Sequence, residues 1–226
     1  MKCAFFDLDN TLTDRTSTVG LYAEYFLYEF QQYLAEHVSV QYLATTFNEL
    51  DRGGYETHDI RSAAIRNLAI WRKPVSAQDL SRHWQDWVPN HSLPMNGLNE
   101  CLEELISMGF KLCLVTNGQS KNQRDKIKRL SLDKYFDTIV ISEEFGVKKP
   151  DARIFKFALD QMACHANDAF FIGDHPVNDY LGSTAMGFTA IWLEGAHPWP
   201  KDIDKPLSIN SLHELCPLVR NLIAKA

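Results

Sequence analysis

Residues 3–12 read CAFFDLDNTL: an apolar run that breaks into a turn carrying Asp7 and Asp9, followed by Asn10 and Thr11. A short, continuous apolar run ending in a polar cluster fits a strand buried on both faces. Strands of that kind belong to parallel sheets whose two faces are covered by helices. The pattern returns along the chain. Residues 110–115 (FKLCLV) run into TNG, 138–141 (TIVI) into SEEFG, 169–172 (AFFI) into GDH, and 188–193 (FTAIWL) into EGAH.

Helical patterns separate these runs. Leu98, Leu102, Leu105 and Ile106 share one helical face, and Gly109 supplies a stop. Ile127 and Leu130 mark a second helix that starts near Ser120. Residues 152–162 give a third after Pro150 and Asp151, and residues 180–186 a short fourth ended by Gly187. Strands alternating with helices predict an α/β fold: a central parallel sheet, right-handed crossovers and helices on both faces. The tail, 198–226, is predicted to end in a helix carrying Leu212, Leu215, Leu218, Val219 and Leu222.

Residues 15–92 break this rhythm. Leu21, Tyr25, Phe26, Phe30, Tyr33 and Leu34 recur at helical spacing, Leu43, Phe47 and Leu50 continue, and two more helical stretches follow at 60–70 and 80–88. The chain is therefore expected to divide into a core made of 1–14 and 93–226 and an all-helical insertion at 15–92. The aromatic stripes read as helix–helix core. The stretch 51–55 (DRGGY) has an arginine and an aromatic ring that could meet a base or a sugar, but reads as an ordinary helix connection. Arg61 and Arg66 read as a solvated helix face. His91 sits in the predicted return, 89–94, with a structural role.

Composition narrows the function. Hydrophobic residues make up 45% of the chain and charged residues 23%, enough apolar mass to build a core and exclude global disorder. A formal charge of −6 provides no basic footprint for a nucleic-acid polymer. No apolar run approaches the roughly 20 residues of a membrane span. Asp7 and Asp9 come too early for a secretory signal, so a cytoplasmic location is expected. The cysteines (Cys3, Cys101, Cys113, Cys164 and Cys216) are odd in number and form no CxxC pair, which fits reduced, mostly buried thiols. The oligomeric state is not specified.

Ligands of open parallel sheets bind at the carboxyl ends of the strands. The polar clusters there hold Asp7 and Asp9, then Thr116 and Asn117, then Lys149, then Asp174 and Asp179. Each cluster alone has an ordinary reading as a turn, a cap or a solvated loop. Together, and in this order after apolar strands, they read as a site. Converging carboxylates repel unless a cation joins them. Hard oxygen ligands favour Mg²⁺, which pairs readily with phosphate. A threonine hydroxyl and backbone N–H groups can hold phosphate oxygens, and a lysine can meet the charge of a transition state. An aspartate can act as nucleophile, and a second one two residues on can pass protons.

FFDLDNTLTD at 5–14 resembles the first motif of the haloacid dehalogenase (HAD) superfamily of phosphohydrolases. LVTNGQ at 114–119 resembles the second, EFGVKKPDARIF at 144–155 the third, and FIGDHPVNDYLGSTAMG at 171–187 the fourth. The similarity spans roughly residues 1–14 and 93–195. It implies a Rossmann-like core with a mobile helical cap inserted after the first motif. Asp7 would be the nucleophile and a Mg²⁺ ligand. Asp9 would be the general acid and base, ligating Mg²⁺ through its backbone carbonyl. Thr116 would bind phosphate with help from the Asn117 backbone. Lys149 would bind phosphate and stabilise Asp7. Asp174 would ligate Mg²⁺ directly, and Asp179 would do so through water or orient Lys149.

The dehalogenases of the superfamily lack an acid at the position of Asp9, so the resemblance points to phosphate monoesters instead. His175 and His197 lie where metal ligands could be sought, but Mg²⁺ disfavours imidazole. His175 is therefore expected to stand behind the metal's ligands or to face substrate. The motifs look closest to pyrimidine nucleotidases and phosphoglycolate phosphatase-like members. They imply a nucleoside monophosphate or a sugar phosphate as substrate. A phosphomutase or phosphotransferase on the same core is the alternative, and a non-catalytic binding module a more distant one.

Overall fold

The strand β1 (Cys3–Phe6) is buried along its whole length, as a run without alternation requires of a central strand. It pairs in parallel with β4 (Lys111–Thr116) on one side and β6 (Ala169–Gly173) on the other. The protein is described by a computed structural model over residues 3–204 and 206–224. The sheet has six strands in the order β5-β4-β1-β6-β7-β8, with β5 at Thr138–Ile141, β7 at Thr189–Leu193 and β8 at Ser208–Ile209. Each of the five neighbouring pairs is parallel. This is the expected α/β class, with a Rossmann-like three-layer arrangement.

Alternation along β1 divides the packing. Ala4 and Phe6 enter one apolar cluster with Leu112, Leu114 and Ile172 of the sheet. That cluster takes Leu98, Leu102 and Leu105 from α5 (Leu98–Ser107), Ile127 from α6 (Ser120–Arg129), and Leu215 and Val219 from α10 (Leu215–Ala224). Cys3 and Phe5 point the other way, to a cluster completed by Ile154, Phe155, Ala158 and Leu159 of α8 (Ala152–Met162). The helix α8 starts where Asp151 accepts a hydrogen bond from the Arg153 N–H. A short α7 (Ser142–Phe145) follows β5 directly.

Two details differ from the sequence pattern. The segment after β6 does not wait until residue 180 to become helical. A π-type turn runs over Pro176–Leu181 and passes into α9 (Gly182–Thr184). Pro176 has no N–H to leave unsatisfied at a helix start, and the His175 ring caps the next two amides. The tail also adds β8 before its helix, a strand of two residues and too short for a periodic signal.

The chain divides into two units: one runs up to Thr13 and resumes at Pro94, and the other is Asp14–Leu93. Short strands β2 (Thr13–Asp14) and β3 (Leu93–Pro94) lie at the two crossings. The second unit contains α1 (Arg15–Phe30), α2 (Val40–Asp51), α3 (His58–Arg66) and α4 (Ala77–Trp87). Asp14, Ser39, Thr57 and Ser76 cap these four helices by side-chain hydrogen bonds. Its core is aromatic, with Tyr22 in ring contact with Phe26, Phe47 and Trp84, and Phe26 with Phe47. Among the described residues no helix is long and apolar enough to cross a membrane.

Arg61 is not on a solvated face. It is 2% exposed and donates from Nη1 to Asp51 Oδ1 at 2.9 Å. Arg15 reaches the same carboxylate from Nε at 2.6 Å and from Nη2 at 2.9 Å. The stretch 51–55 therefore begins with an aspartate that joins α1, α2 and α3. Burial draws the Arg61 guanidinium down to about 10 against the pull of Asp51. Asp51→Ala would leave two buried guanidinium groups without this counter-charge. A loss of about 3–5 kcal/mol is expected, measured as a lower urea midpoint in equilibrium unfolding. A change below about 1 kcal/mol would place the pair among ordinary surface bridges.

Candidate active site

Asp7 leaves the end of β1 with its N–H bonded to Ile172 O at 2.9 Å, which extends the ladder one residue past the strand. That register carries Asp7 toward the residues that follow β6. Asp174 comes directly after β6, and Asp179 lies in the Pro176–Leu181 turn. All three are buried, and one carboxylate oxygen from each falls within 4.8 Å of the others. Gly173 makes this approach possible, because a β-carbon there would fall on the side chain of Asp179. Only a residue without one lets Asp179 fold back over the strand end.

Lys149 enters this cluster from the loop after α7. Its Nζ donates to Asp7 Oδ1 at 2.7 Å and to Asp179 Oδ1 at 2.7 Å, and the residue is 3% exposed. Asn117 fixes the lysine's backbone with its side chain: Nδ2 donates to Lys149 O at 3.0 Å, and Lys149 N donates to Oδ1 at 2.8 Å. The family resemblance implies a phosphate-binding role for the Asn117 backbone; its side chain braces the second and third motifs. Asp179 accepts a further bond from the His175 N–H at 3.0 Å, so it is held from both sides.

Asp174 is held differently. Its backbone carbonyl accepts from Trp192 Nε1 at 2.7 Å, but both buried carboxylate oxygens lack a hydrogen-bond partner among the described residues. His197 Nε2 stands 3.4 Å from Oδ2. Burial, then Asp7 and Asp179, push the Asp174 carboxyl well above its ordinary range. Burial also pushes Asp7 up to about 7, against the pull of Lys149. Burial alone would lower Lys149, but Asp179 and Asp7 outweigh it and the ammonium is held above the usual lysine value. Three carboxylates facing one ammonium leave an excess of negative charge, and the orphaned Asp174 is where a cation would fit. A hard divalent ion with oxygen ligands suits that donor set.

A second group stands beside the first. Thr116, at the end of β4, is buried and accepts from Gln123 Nε2 at 2.6 Å. Asp9 is partly exposed and accepts from Thr13 Oγ1 at 3.4 Å, from Gln123 Nε2 at 3.0 Å, and from Lys126 Nζ at 2.7 Å on each oxygen. Nothing in the sequence pattern marks Gln123 or Lys126. The available signal is weak: Ile127 is the sole apolar residue of α6, so polar side chains must fill the rest of the helix's inner face. His175 also takes a structural part. Its Nδ1 accepts from the Val177 and Asn178 amides at 3.1 Å, which makes it the cap of the π-type turn.

Known proteins are similar to this chain in sequence and fold. The chain is 29% identical over 201 residues to a glyceraldehyde 3-phosphate phosphatase of Pyrococcus abyssi, covering 86% of this chain and 82% of that one. It is 30% identical over 226 residues to the pyrimidine 5'-nucleotidase YjjG of Escherichia coli, covering 93% and 94%. The crystal structure of the HAD-hydrolase YfnB from Bacillus subtilis superposes with a TM-score of 0.77 at 24% identity, over 96% of this chain and 98% of that one. The profile of the haloacid dehalogenase-like hydrolases matches residues 4–193. That match covers most of the chain, and the chain belongs to the haloacid dehalogenase-like hydrolase family.

Proposed function

We propose that the protein is a Mg²⁺-dependent phosphate-monoester hydrolase that works through an aspartyl-phosphate on Asp7. The observation that carries this reading is the buried Asp174, whose carboxylate has no hydrogen-bond partner on either oxygen among the described residues, next to Asp7 and Asp179. Such a group persists when a cation completes it. Asp7, Asp174 and the Asp9 backbone carbonyl would hold the ion, with Asp179 behind them. When bound, Mg²⁺ would offset carboxylate charge and polarise a phosphoryl group.

The protein's own groups supply the rest. Asp7 Oδ2 attacks phosphorus while Lys149 holds Oδ1 and limits the rotation of the carboxylate. Lys149 also lies ready for the phosphoryl charge that builds in the transition state. Thr116 already accepts from Gln123, and its weak 3.4 Å contact to Asn117 O is readily exchanged for a phosphate oxygen. Asp9 gives a proton to the leaving alkoxide, then takes one from the water that hydrolyses the aspartyl-phosphate. A halide leaving group needs no such donor, so an acid at this position supports esters as substrates.

The substrate is assigned to small phosphorylated metabolites, nucleoside monophosphates or sugar phosphates. The nucleotidase and the sugar-phosphate phosphatase among the relatives support that range. Because the core residues address only phosphate, choice among esters is assigned to the helical unit, Asp14–Leu93, acting as a cap. The test is phosphate release from a panel of nucleotides and sugar phosphates. Turnover is expected with Mg²⁺, to vanish with EDTA and to return when Mg²⁺ is restored. Absence of release across the panel, with Mg²⁺ present, overturns the reading.

A further inference from the structure

Lys126 and Gln123 lie on one face of α6, three residues apart, and both side chains turn inward. Lys126 is 4% exposed and Gln123 is 2% exposed. Lys126 Nζ touches both oxygens of Asp9 at 2.7 Å and also donates to Gln123 Oε1 at 2.8 Å. Gln123 Nε2 reaches Asp9 Oδ2 at 3.0 Å, Thr116 Oγ1 at 2.6 Å and Asn117 O at 3.2 Å. The amide lies against the backbone of Gly118, where a β-carbon would come within 2.9 Å of Gln123 Cδ. Two buried donors on one helix thus fix the carboxylate of Asp9 and the hydroxyl of Thr116 relative to each other. A lysine buried to this degree on the helix's inner face loses hydration and side-chain freedom, a cost that an incidental surface pair would not sustain.

We propose that Lys126 and Gln123 are positioning residues for proton transfer at the leaving oxygen: together they set where the Asp9 carboxylate stands. The inference rests on the phosphatase reading and deepens it. An aspartate on a turn has several rotamers, and proton transfer demands hydrogen-bond reach to one oxygen of the ester. The bidentate ammonium removes that freedom from the inner side. Thr13 Oγ1 adds a longer contact to Oδ1, at 3.4 Å.

The leaving group provides the test. An alkyl ester expels a strongly basic alkoxide and needs the proton; p-nitrophenyl phosphate expels a stabilised phenolate and does not. kcat/KM covers steps only through phosphorylation of Asp7, before the water-dependent step common to both esters. Lys126→Met is expected to lower kcat/KM for the best alkyl monoester by roughly 10- to 100-fold, part of what general acid catalysis contributes. The value for p-nitrophenyl phosphate should stay within about 3-fold, and Lys126→Arg should recover part of the alkyl activity. An equal loss on both esters, or no loss on either, overturns the inference. Should Lys126→Met fail to fold, Lys126→Gln, which leaves the Gln123–Thr116 contact in place, carries the same comparison with the same outcomes for and against. Asp7→Asn measured alongside separates the two levels: if it still turns over, the phosphatase reading itself has failed; if it is inactive and the ester comparison is flat, only the role of Lys126 and Gln123 has failed.

Discussion

Asp7→Asn is expected to abolish turnover, lowering kcat by roughly 10,000-fold or more, as loss of a covalent nucleophile does elsewhere. The substitution keeps the size and shape of the side chain. It leaves the β1 ladder untouched, because the bond to Ile172 is made by the backbone N–H. Lys149 keeps Asp179 at 2.7 Å, so the ammonium is not stranded. The variant should therefore fold, with an unfolding midpoint close to the wild type. Two measurements separate loss of chemistry from loss of structure. Acid-quenched wild type mixed with substrate should carry one phosphoryl group on the peptide containing Asp7, detected by mass spectrometry, and the variant should carry none. Phosphorylation of Asp7→Asn at the wild-type level would move the nucleophile elsewhere and remove the basis of the mechanism.

The parts of this site that could be read from sequence share one property: they stand where an apolar strand stops. Asp7, Thr116 and Asp174 are the first polar groups beyond or at the ends of β1, β4 and β6, and adjacent parallel strands in register bring such ends together. The groups that escaped reading work from helices or across long stretches of chain. Lys126 is 117 residues from Asp9, and it sits in the mostly charged run RDKIKR at 124–129, so it looks like a solvated helix face until the fold turns it inward. Arg61 escaped for the same reason. Its partner Asp51 is ten residues away, Arg15 lies 36 residues from that aspartate, and neither spacing is a helical one. Local periodicity reports apolar burial; a buried ion pair becomes visible only when both partners have been placed.

The same distinction explains His175. Beside Asp174 it invites a chemical role, and its Nδ1 accepts from two backbone amides. Those amides begin a turn whose first residue is Pro176, and that turn carries Asp179 back over Gly173. The histidine thus serves the site through the backbone: it stabilises the turn that delivers Asp179 to Lys149. Asn117 acts in a comparable way from β4, with both ends of its amide on the backbone of Lys149. Lys149 is consequently fixed at its main chain by one motif and at its ammonium by two others, which limits its freedom before any substrate arrives.

Asp174→Asn is expected to separate activity from stability, with opposite signs. The carboxylate is 1% exposed, has no hydrogen-bond partner on either oxygen among the described residues, and faces Asp7 and Asp179. In metal-free buffer it is therefore a cost to the folded state: a buried acid repelled by two others, with one ammonium and the His197 imidazole to answer it. Replacing it with a neutral amide of the same shape removes repulsion and most of the desolvation cost. A gain of about 1–3 kcal/mol in metal-free stability is expected, read as a higher urea midpoint in EDTA. Activity should fall by roughly 1,000-fold or more, since the group proposed to hold the cation is gone. The decisive comparison is the response to Mg²⁺. An ion that binds only the folded protein stabilises it in proportion to the logarithm of its concentration over Kd. The wild-type midpoint should climb as Mg²⁺ is added and the Asp174→Asn midpoint should stay nearly flat, so that the two curves cross. If the variant is instead less stable in EDTA and still responds to Mg²⁺ like the wild type, Asp174 is not the carboxylate that awaits the cation, and the excess negative charge of this cluster has another purpose.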